Sequence, residues 1–317
     1  MNDPCIYKVK AVGRLGNLLY SLCNAIKISI SSGSNIEIEK NKKNRIFKTF
    51  SLNYSKSDNL SYSDFPAHNF FNKFKVLKTF GKEGVASLEE ASLFLRSEVR
   101  PMLNLPTTSV DHDVVIHIRS GDLFDLEKFP LSLRPDWDHI QFPFSFYKKV
   151  ILDHGFSRPL IVTESDFKNP VIELLKQEFP FISIQSSSIE EDFSTLVHAP
   201  NLILSNSSFA FMAALLSETI SKVFMPDFCF GIPTASKFSF FDPIFPESFV
   251  FDFVLYDCGD YYKILEHYKK PEMLEVMKNF PISSINYVNY SANQHIDNVD
   301  LFSDFGSQLS KLNHFKL

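Results

Sequence analysis

A short polar segment in the middle of the sequence combines the residue types that bind an anion. His117-Ile118-Arg119-Ser120-Gly121-Asp122 continues directly from the β-branched run at 114–116. The planar guanidinium of Arg119 can bind two phosphate oxygens together and stabilise the negative charge of a departing diphosphate. The same spacing also fits a structural ion pair between Arg119 and Asp122, with His117 as a hydrogen-bonded core residue.

A second polar segment, Ser205-Asn206-Ser207-Ser208, lies between an apolar run at 202–204 and a predicted helix that begins at Phe209. The start of a helix offers free N–H groups and the positive end of its dipole, and the serine hydroxyls add further donors. This pattern predicts a phosphate site that lacks the lysine of a P-loop. Serine and asparagine are also preferred helix N-caps, so a simple cap is the alternative.

Acidic residues open the helix before that segment, at Glu190-Glu191-Asp192. Carboxylates in a first helical turn commonly serve only to stabilise the helix dipole. The functional alternative is a carboxylate at the rim of a site, where it accepts both N–H groups of a guanine edge.

A glycine-rich turn, Gly13-Arg14-Leu15-Gly16-Asn17, separates a predicted strand at 6–12 from a predicted helix. It forms either a tight strand-to-helix turn or a backbone cradle whose Arg14 and Asn17 approach donor phosphates or an acceptor. Its GxxG spacing lacks the full dinucleotide fingerprint and therefore does not indicate a bound cofactor.

Metal and hydrolase motifs have little support in this sequence. The pairs Asp111/Asp113 and Asp136/Asp138 have the DxD spacing of a metal site, but neither follows a clear strand. We therefore expect no bound metal. The sequence contains neither HExxH nor GxSxG, which leaves zinc peptidase and serine hydrolase without support.

From residue 114 onward, predicted strands alternate with predicted helices, and these elements could position the polar segments. The proline-containing stretch 101–113 predicts a linker between two lobes. Strands are predicted at 114–118, 159–163, 181–184, 201–205 and 222–225, with helices at 170–179, 189–199 and 209–217. Such alternation predicts an α/β fold with a doubly wound parallel sheet, which binds ligands at the carboxyl ends of its strands. Residues 251–317 are predicted to form a C-terminal helical segment packed on the lobes.

Composition limits the class of protein further. A chain of 317 residues with 44% hydrophobic and 22% charged residues can bury a large core, which excludes a disordered protein. The net charge of −5 lacks a basic excess, so we expect no nucleic-acid partner. The four cysteines form no CxxC pair, and residues 1–12 contain no apolar signal segment. We therefore expect a cytoplasmic protein.

The three polar segments occur together in one order: GRLGN, then HIRSGD, then EEDFSTLVHAPNLILSNSSFAFMAAL. This set resembles the alpha-1,2-fucosyltransferase family (glycosyltransferase family 11), within the wider group of GDP-fucose-dependent enzymes. The corresponding family patterns are GxGNQ, HxRRGD and an acidic residue followed by SNSTFSWWAA. The resemblance covers residues 12–32, 114–127 and 190–226. Departures at Leu18, Ser120 and Phe211-Met212 bear on the nucleotide base and the transferred sugar.

The resemblance implies a GT-B-like arrangement of two Rossmann-type lobes, an acceptor-side lobe at 1–110 and a donor-binding lobe at 111–250. It implies that Arg119 binds the diphosphate of GDP-fucose without a metal. The implied donor-binding residues are His117, Arg119, Asp192, Ser205, Asn206, Ser207 and Ser208. Gly13, Arg14, Gly16 and Asn17 would line the cleft between donor and acceptor. Asp192 would recognise guanine.

The implied reaction is an inverting transfer of L-fucose to a saccharide hydroxyl, which needs a group that deprotonates or orients that hydroxyl. Asp122 and Glu127 are the candidates, beside Arg119, and Asp122 could instead only support Arg119. The implied partners are the nucleotide-sugar donor and a saccharide acceptor, with peripheral membrane contact if that acceptor is lipid-linked. Two alternatives are a glycosyltransferase that uses a GDP- or UDP-hexose, and a non-catalytic saccharide- or nucleotide-binding module.

Overall fold

The computed structural model describes residues 6–9, 14–38, 51–52, 86–124, 141–226, 251–266 and 270–288. Its strands form one sheet of three strands and one sheet of seven. Helices cover both faces of the larger sheet, and two buried apolar clusters, one on each face, form the core. The fold is therefore mixed α/β with a mostly parallel main sheet, which confirms the predicted class.

The N-terminal lobe begins with a parallel β-α-β unit. Strand β1 (Ile6–Val9) pairs with β2 (Asn35–Ile38), and helix α1 (Leu15–Ser32) connects them. Strand β3 (Ser51–Leu52) adds to β2 in the antiparallel direction. Helix α2 (Leu88–Phe94), which has a capping box between Ser87 and Glu90, packs on α1.

Seven strands form the main sheet. In chain order they are β4 (Val114–His117), β5 (Pro159–Val162), β6 (Ser183–Gln185), β7 (Asn201–Ile203), β8 (Lys222–Pro226), β9 (Asp252–Asp257) and β10 (Asn286–Val288). Their spatial order is β10-β9-β8-β7-β4-β5-β6, and only β10 is antiparallel. From β4 the chain winds outward to β6 and then returns to place β7 on the other side of β4. This reversal is the topological switch point where doubly wound sheets bind ligands.

Helices on the main sheet follow the strands in turn. They are α3 (Phe144–His154), α4 (Pro170–Glu178), α5 (Ile189–Val197), α6 (Ser208–Leu216), α7 (Tyr261–Glu266) and α8 (Lys270–Asn279). The residues of β4 alternate between the two core clusters: Val114 and Ile116 face one cluster, and Val115 faces the other. Strands covered on both faces need such apolar runs, which is why the sequence identifies β4 and β5 clearly.

Helix α6 lies in the buried core and packs against both the main sheet and helix α1. Nearly all of its side chains are buried, since it packs on the sheet, on α5 and on α1 of the N-terminal lobe. A helix that is apolar on all sides requires cover on all sides. The cover by α1 brings the N-terminal turn of the chain to the switch point.

The C-terminal segment differs from its expectation as a helical segment. It contributes α7 and α8, but it also adds β9 and β10 to the main sheet. Strand β9 contains Phe253 and Tyr256, but the surrounding region is also rich in aromatic residues, so the strand is not distinguishable by its composition. No helix in the described ranges is long and apolar enough to cross a membrane.

Candidate active site

The switch point joins the two polar segments that the sequence singled out separately. His117 ends β4, and Ser205 follows β7, the strand beside it. His117 Nδ1 lies 2.6 Å from Ser205 Oγ, and both residues are buried. The His117 ring also contacts the Phe209 ring on α6, with 5.7 Å between centroids. The candidate site is therefore built around a buried polar pair at the carboxyl ends of two adjacent strands.

His117 is a neutral residue of the core. Burial, with the nearby positive charge of Arg119 as a second cause, lowers its pKa from 6.5 to about 3. A neutral imidazole can accept a hydrogen bond at one ring nitrogen, so His117 can hold the Ser205 hydroxyl in one orientation. Its contribution to the site is to position that hydroxyl beside the start of α6.

The pKa of His117 predicts a pH-dependent stability. Between its folded pKa of about 3 and the unfolded value of 6.5, the unfolded chain binds the extra proton, so acidification destabilises the folded protein. Between pH 7 and pH 5, this titration should lower the free energy of unfolding by about 2 kcal/mol, and His117→Gln should remove that decrease. Urea unfolding at both pH values measures it. His112→Gln, before the amino end of β4, is the control. If the stability of wild type and of His117→Gln changed equally with pH, the assignment would be contradicted.

The loop that carries Arg119 is fixed by polar groups from the turn after β5. Glu164 Oε2 accepts from Ser120 N at 2.6 Å, and Asp166 Oδ1 accepts from Ser120 Oγ at 2.7 Å. Asn169 Nδ2 donates to Arg119 O at 2.9 Å. Partial burial opposes the effect, but hydrogen bonds from Ser120, Gly121 and Lys168 lower the pKa of Asp166 overall. Hydrogen bonds therefore hold the backbone that carries the Arg119 side chain in one position.

Sequence reasoning missed Glu164, Asp166 and Asn169. A signal was present, since Thr163-Glu164-Ser165-Asp166 follows directly on the buried apolar strand β5. Polar residues at the carboxyl end of such a strand share an edge with those that follow β4.

Two helix N-termini meet beside this loop. Ser208 Oγ, in the first turn of α6, donates to Asn17 Oδ1, in the first turn of α1, at 2.7 Å. A Cβ on Gly16 would lie 2.4 Å from Phe209 N, so only glycine permits this approach. Neither helix has an acidic residue in its first turn. Two positive helix ends that lack an acidic residue in their own first turns are a favourable place for an anion.

The predicted cleft residue Arg14 connects this turn to the loop after β5. Its Nη1 lies 3.7 Å from Glu164 Oε1, and the two side chains are 64% and 35% exposed. An ion pair so exposed adds little to stability. It does place Arg14 on the same side of the switch point as Arg119.

Asp192 lies in the first turn of α5, the helix that follows β6, and so near the carboxyl end of that strand. Its Oδ1 accepts from Gln185 Nε2 at 2.9 Å, and both of its carboxylate oxygens accept from Ser187 N. Burial raises its pKa. Glu191 forms a capping box with Ser188. Glu191 and Asp192 therefore have hydrogen-bond partners at the end of β6 and in the connection between β6 and α5. Recognition of guanine by Asp192 stays a prediction.

The remaining predicted residues divide into three groups. Asn206 lies half-buried between Ser205 and the Ser207 N-cap of α6. Gly13, Glu127 and the pair Asp136/Asp138 lie outside the described residues, as does the side chain of Asp122. Asp111 and Asp113 bind Arg158 and Ser157 at the amino ends of the strands. The described residues contain no cluster of three His, Cys, Asp or Glu side chains arranged to hold a metal.

No protein-family model matches the sequence, and no curated protein matches it. Among solved structures, the chain is similar to E. coli heptosyltransferase WaaC with ADP, at a TM-score of 0.34 and 9% identity over 70% of this chain and 88% of that one. It is also similar to POFUT1 in complex with GDP, at a TM-score of 0.32 and 11% identity over 68% and 95%. Both neighbours are GT-B glycosyltransferases. Membership of the alpha-1,2-fucosyltransferase family stays a prediction.

Proposed function

We propose that this protein is an inverting glycosyltransferase that transfers L-fucose from GDP-fucose to a hydroxyl of a saccharide. The observation that carries the proposal is the meeting of three polar segments at one switch point. The Arg119 loop, the Ser205–Ser208 segment and the N-terminal turn come from distant parts of the chain. Contacts that join them are His117 to Ser205 and Ser208 to Asn17. Glu164, in the turn after β5, contacts both Arg14 and Ser120 and so links the N-terminal turn to the Arg119 loop.

The diphosphate of the donor is the ligand that fits this arrangement. Two helix N-termini that meet at the contact between Ser208 and Asn17 supply N–H donors and positive charge. The Arg119 guanidinium, whose charge lowers the pKa of the neighbouring His117, is proposed to add a planar pair of donors to the same diphosphate. As the bond between the sugar C1 and the diphosphate oxygen breaks, negative charge develops on the leaving diphosphate. Preorganised donors that stabilise this charge lower the barrier to transfer. We propose that these groups act without a metal ion.

Guanine and fucose are proposed from the sequence patterns that resemble GDP-fucose-dependent enzymes. In the proposed reaction, the acceptor oxygen attacks C1 from the face opposite the diphosphate and inverts the anomeric centre. We place this activity in the cytoplasm, with contact at a membrane surface where the acceptor is lipid-linked.

The test is a calorimetric titration of the purified protein with GDP, UDP and ADP, and with GDP-fucose, GDP-mannose and UDP-glucose. Each ligand is titrated first with a chelator and then with magnesium. We expect GDP and GDP-fucose to bind most tightly, with equal affinity in both conditions. Preference for UDP, or binding that requires magnesium, would overturn the donor assignment. Tight GDP-fucose binding with no GDP release under any acceptor would instead identify a binding module.

A further inference from the structure

The turn between β5 and α4, residues 163–169, presents two partly exposed groups beside the proposed donor site. The Glu164 side chain is 35% exposed, and Phe167 is 50% exposed. Both lie at the carboxyl edge of the sheet, beside the loop that carries Arg119. A carboxylate next to an exposed aromatic ring is a combination suited to a saccharide, which offers hydroxyl donors and apolar C–H faces.

Glu164 has one oxygen fixed and one turned toward the N-terminal lobe. Oε2 accepts from Ser120 N at 2.6 Å, which holds the carboxylate against the Arg119 loop. Oε1 lies 3.7 Å from Arg14 Nη1. A Cβ on Gly121 would stand 3.6 Å from the same oxygen, in ordinary van der Waals contact, so Gly121 borders this side of the carboxylate. Oε1 therefore lies beside Arg14, on the partly exposed side of the carboxylate.

Phe167 is held in an unfavourable backbone conformation. Its φ is 48°, and no other non-glycine residue in the described ranges has a positive φ. A bulky side chain is rare in this region of the Ramachandran plot. Its neighbours impose the conformation: Asp166 accepts from Gly121 N, and Asn169 N donates to Ser120 Oγ. The unfavourable conformation therefore occurs at an exposed aromatic residue beside the candidate site. Backbone outliers of this kind cluster at ligand-binding sites.

We propose that the turn at residues 163–169 is the acceptor-binding wall of the site. This inference rests on the proposed glycosyltransferase function. The ring of Phe167 packs against the C–H face of the acceptor sugar. Glu164 Oε1 takes the proton of the acceptor hydroxyl while the acceptor oxygen forms its new bond to C1. The C1–diphosphate bond breaks in the same step, and its electron pair leaves with the diphosphate.

The test measures transfer from GDP-fucose to a panel of methyl glycosides of galactose, glucose, mannose and N-acetylglucosamine. Phe167→Ala should raise the acceptor KM at least tenfold, with kcat within about twofold. Glu164→Gln should lower kcat about 100-fold, with little change in the acceptor KM, since the amide oxygen keeps the contact with Ser120 N. Phe181→Ala is the matched control, because Phe181 has a similar exposure but lies near the amino end of β6, away from the carboxyl ends that form the site.

Two further measurements separate a structural role from the proposed one. The affinity for GDP should be unchanged in Phe167→Ala, which would show that the Arg119 loop is intact. Phe167→Asn should have an equal or higher melting temperature, because asparagine tolerates a positive φ, yet it should show the same rise in acceptor KM.

The two proposals fail in different ways. If the wild-type protein binds no nucleotide, the proposed function is wrong and the acceptor wall falls with it. If the wild type turns over GDP-fucose but both variants behave like Phe181→Ala, the acceptor wall alone is wrong. Acceptance of no glycoside in the panel by a protein that hydrolyses the donor would also overturn it.

Discussion

Replacing Arg119 with alanine should lower turnover of the nucleotide sugar by about 100- to 1,000-fold, the usual cost of removing a preorganised charge donor. Arg119 follows β4 at the switch point, and its backbone is fixed through Asn169 and Ser120. Its positive charge is also felt by the buried His117. Loss of the guanidinium should weaken GDP binding as well, because the diphosphate is present in both substrate and product.

Two variants make this experiment specific. Arg158→Ala removes the same charge from an exposed pair with Asp111 at the amino edge of the sheet, and should leave turnover unchanged. Arg119→Lys keeps the charge but loses the planar fork, so it should recover only part of the lost activity. A rate for Arg119→Ala within twofold of wild type would refute the role assigned to this residue.

Replacing Gly16 with alanine should destabilise the protein by about 3 kcal/mol, at the upper end of the cost of overpacking. The added Cβ would lie 2.4 Å from Phe209 N, 2.7 Å from Phe209 Cα and 2.8 Å from Ser208 C. These are backbone atoms at the start of α6, which cannot move aside as a flexible side chain can. The helices must separate, and the contact between Ser208 and Asn17 is lost.

Urea unfolding measures the loss, and GDP titration shows whether the site opens with it. Alanine favours a helix over glycine by about 1 kcal/mol, so any stabilisation in Gly16→Ala would contradict the observed approach. Ser31→Ala, at an exposed position near the end of α1, is the control for helix propensity. We expect weaker GDP binding in Gly16→Ala, since both helix N-termini would leave their positions.

Most of the local elements and the two central polar segments can be predicted from the sequence alone. Buried β-branched runs predicted β4 and β5, because strands covered on both faces must be apolar throughout. Ser205–Ser208 was recognised at a helix start for a similarly local reason. Strand β9 escaped prediction because its apolar residues lie in a region where aromatic residues are frequent and give no clear period.

The grouping of residues into one site is visible only in the folded structure. His117 and Ser205 are 88 positions apart, and Asn17 and Ser208 are 191 apart. Their contacts depend on the strand order and on the packing of α1 against α6, neither of which is encoded by local periodicity. The same holds for Glu164 and Phe167, whose importance appears only when the turn after β5 is seen against the loop after β4. Local propensity fixes a helix or strand through neighbours along the chain, whereas a site forms from side chains that the fold brings together across it.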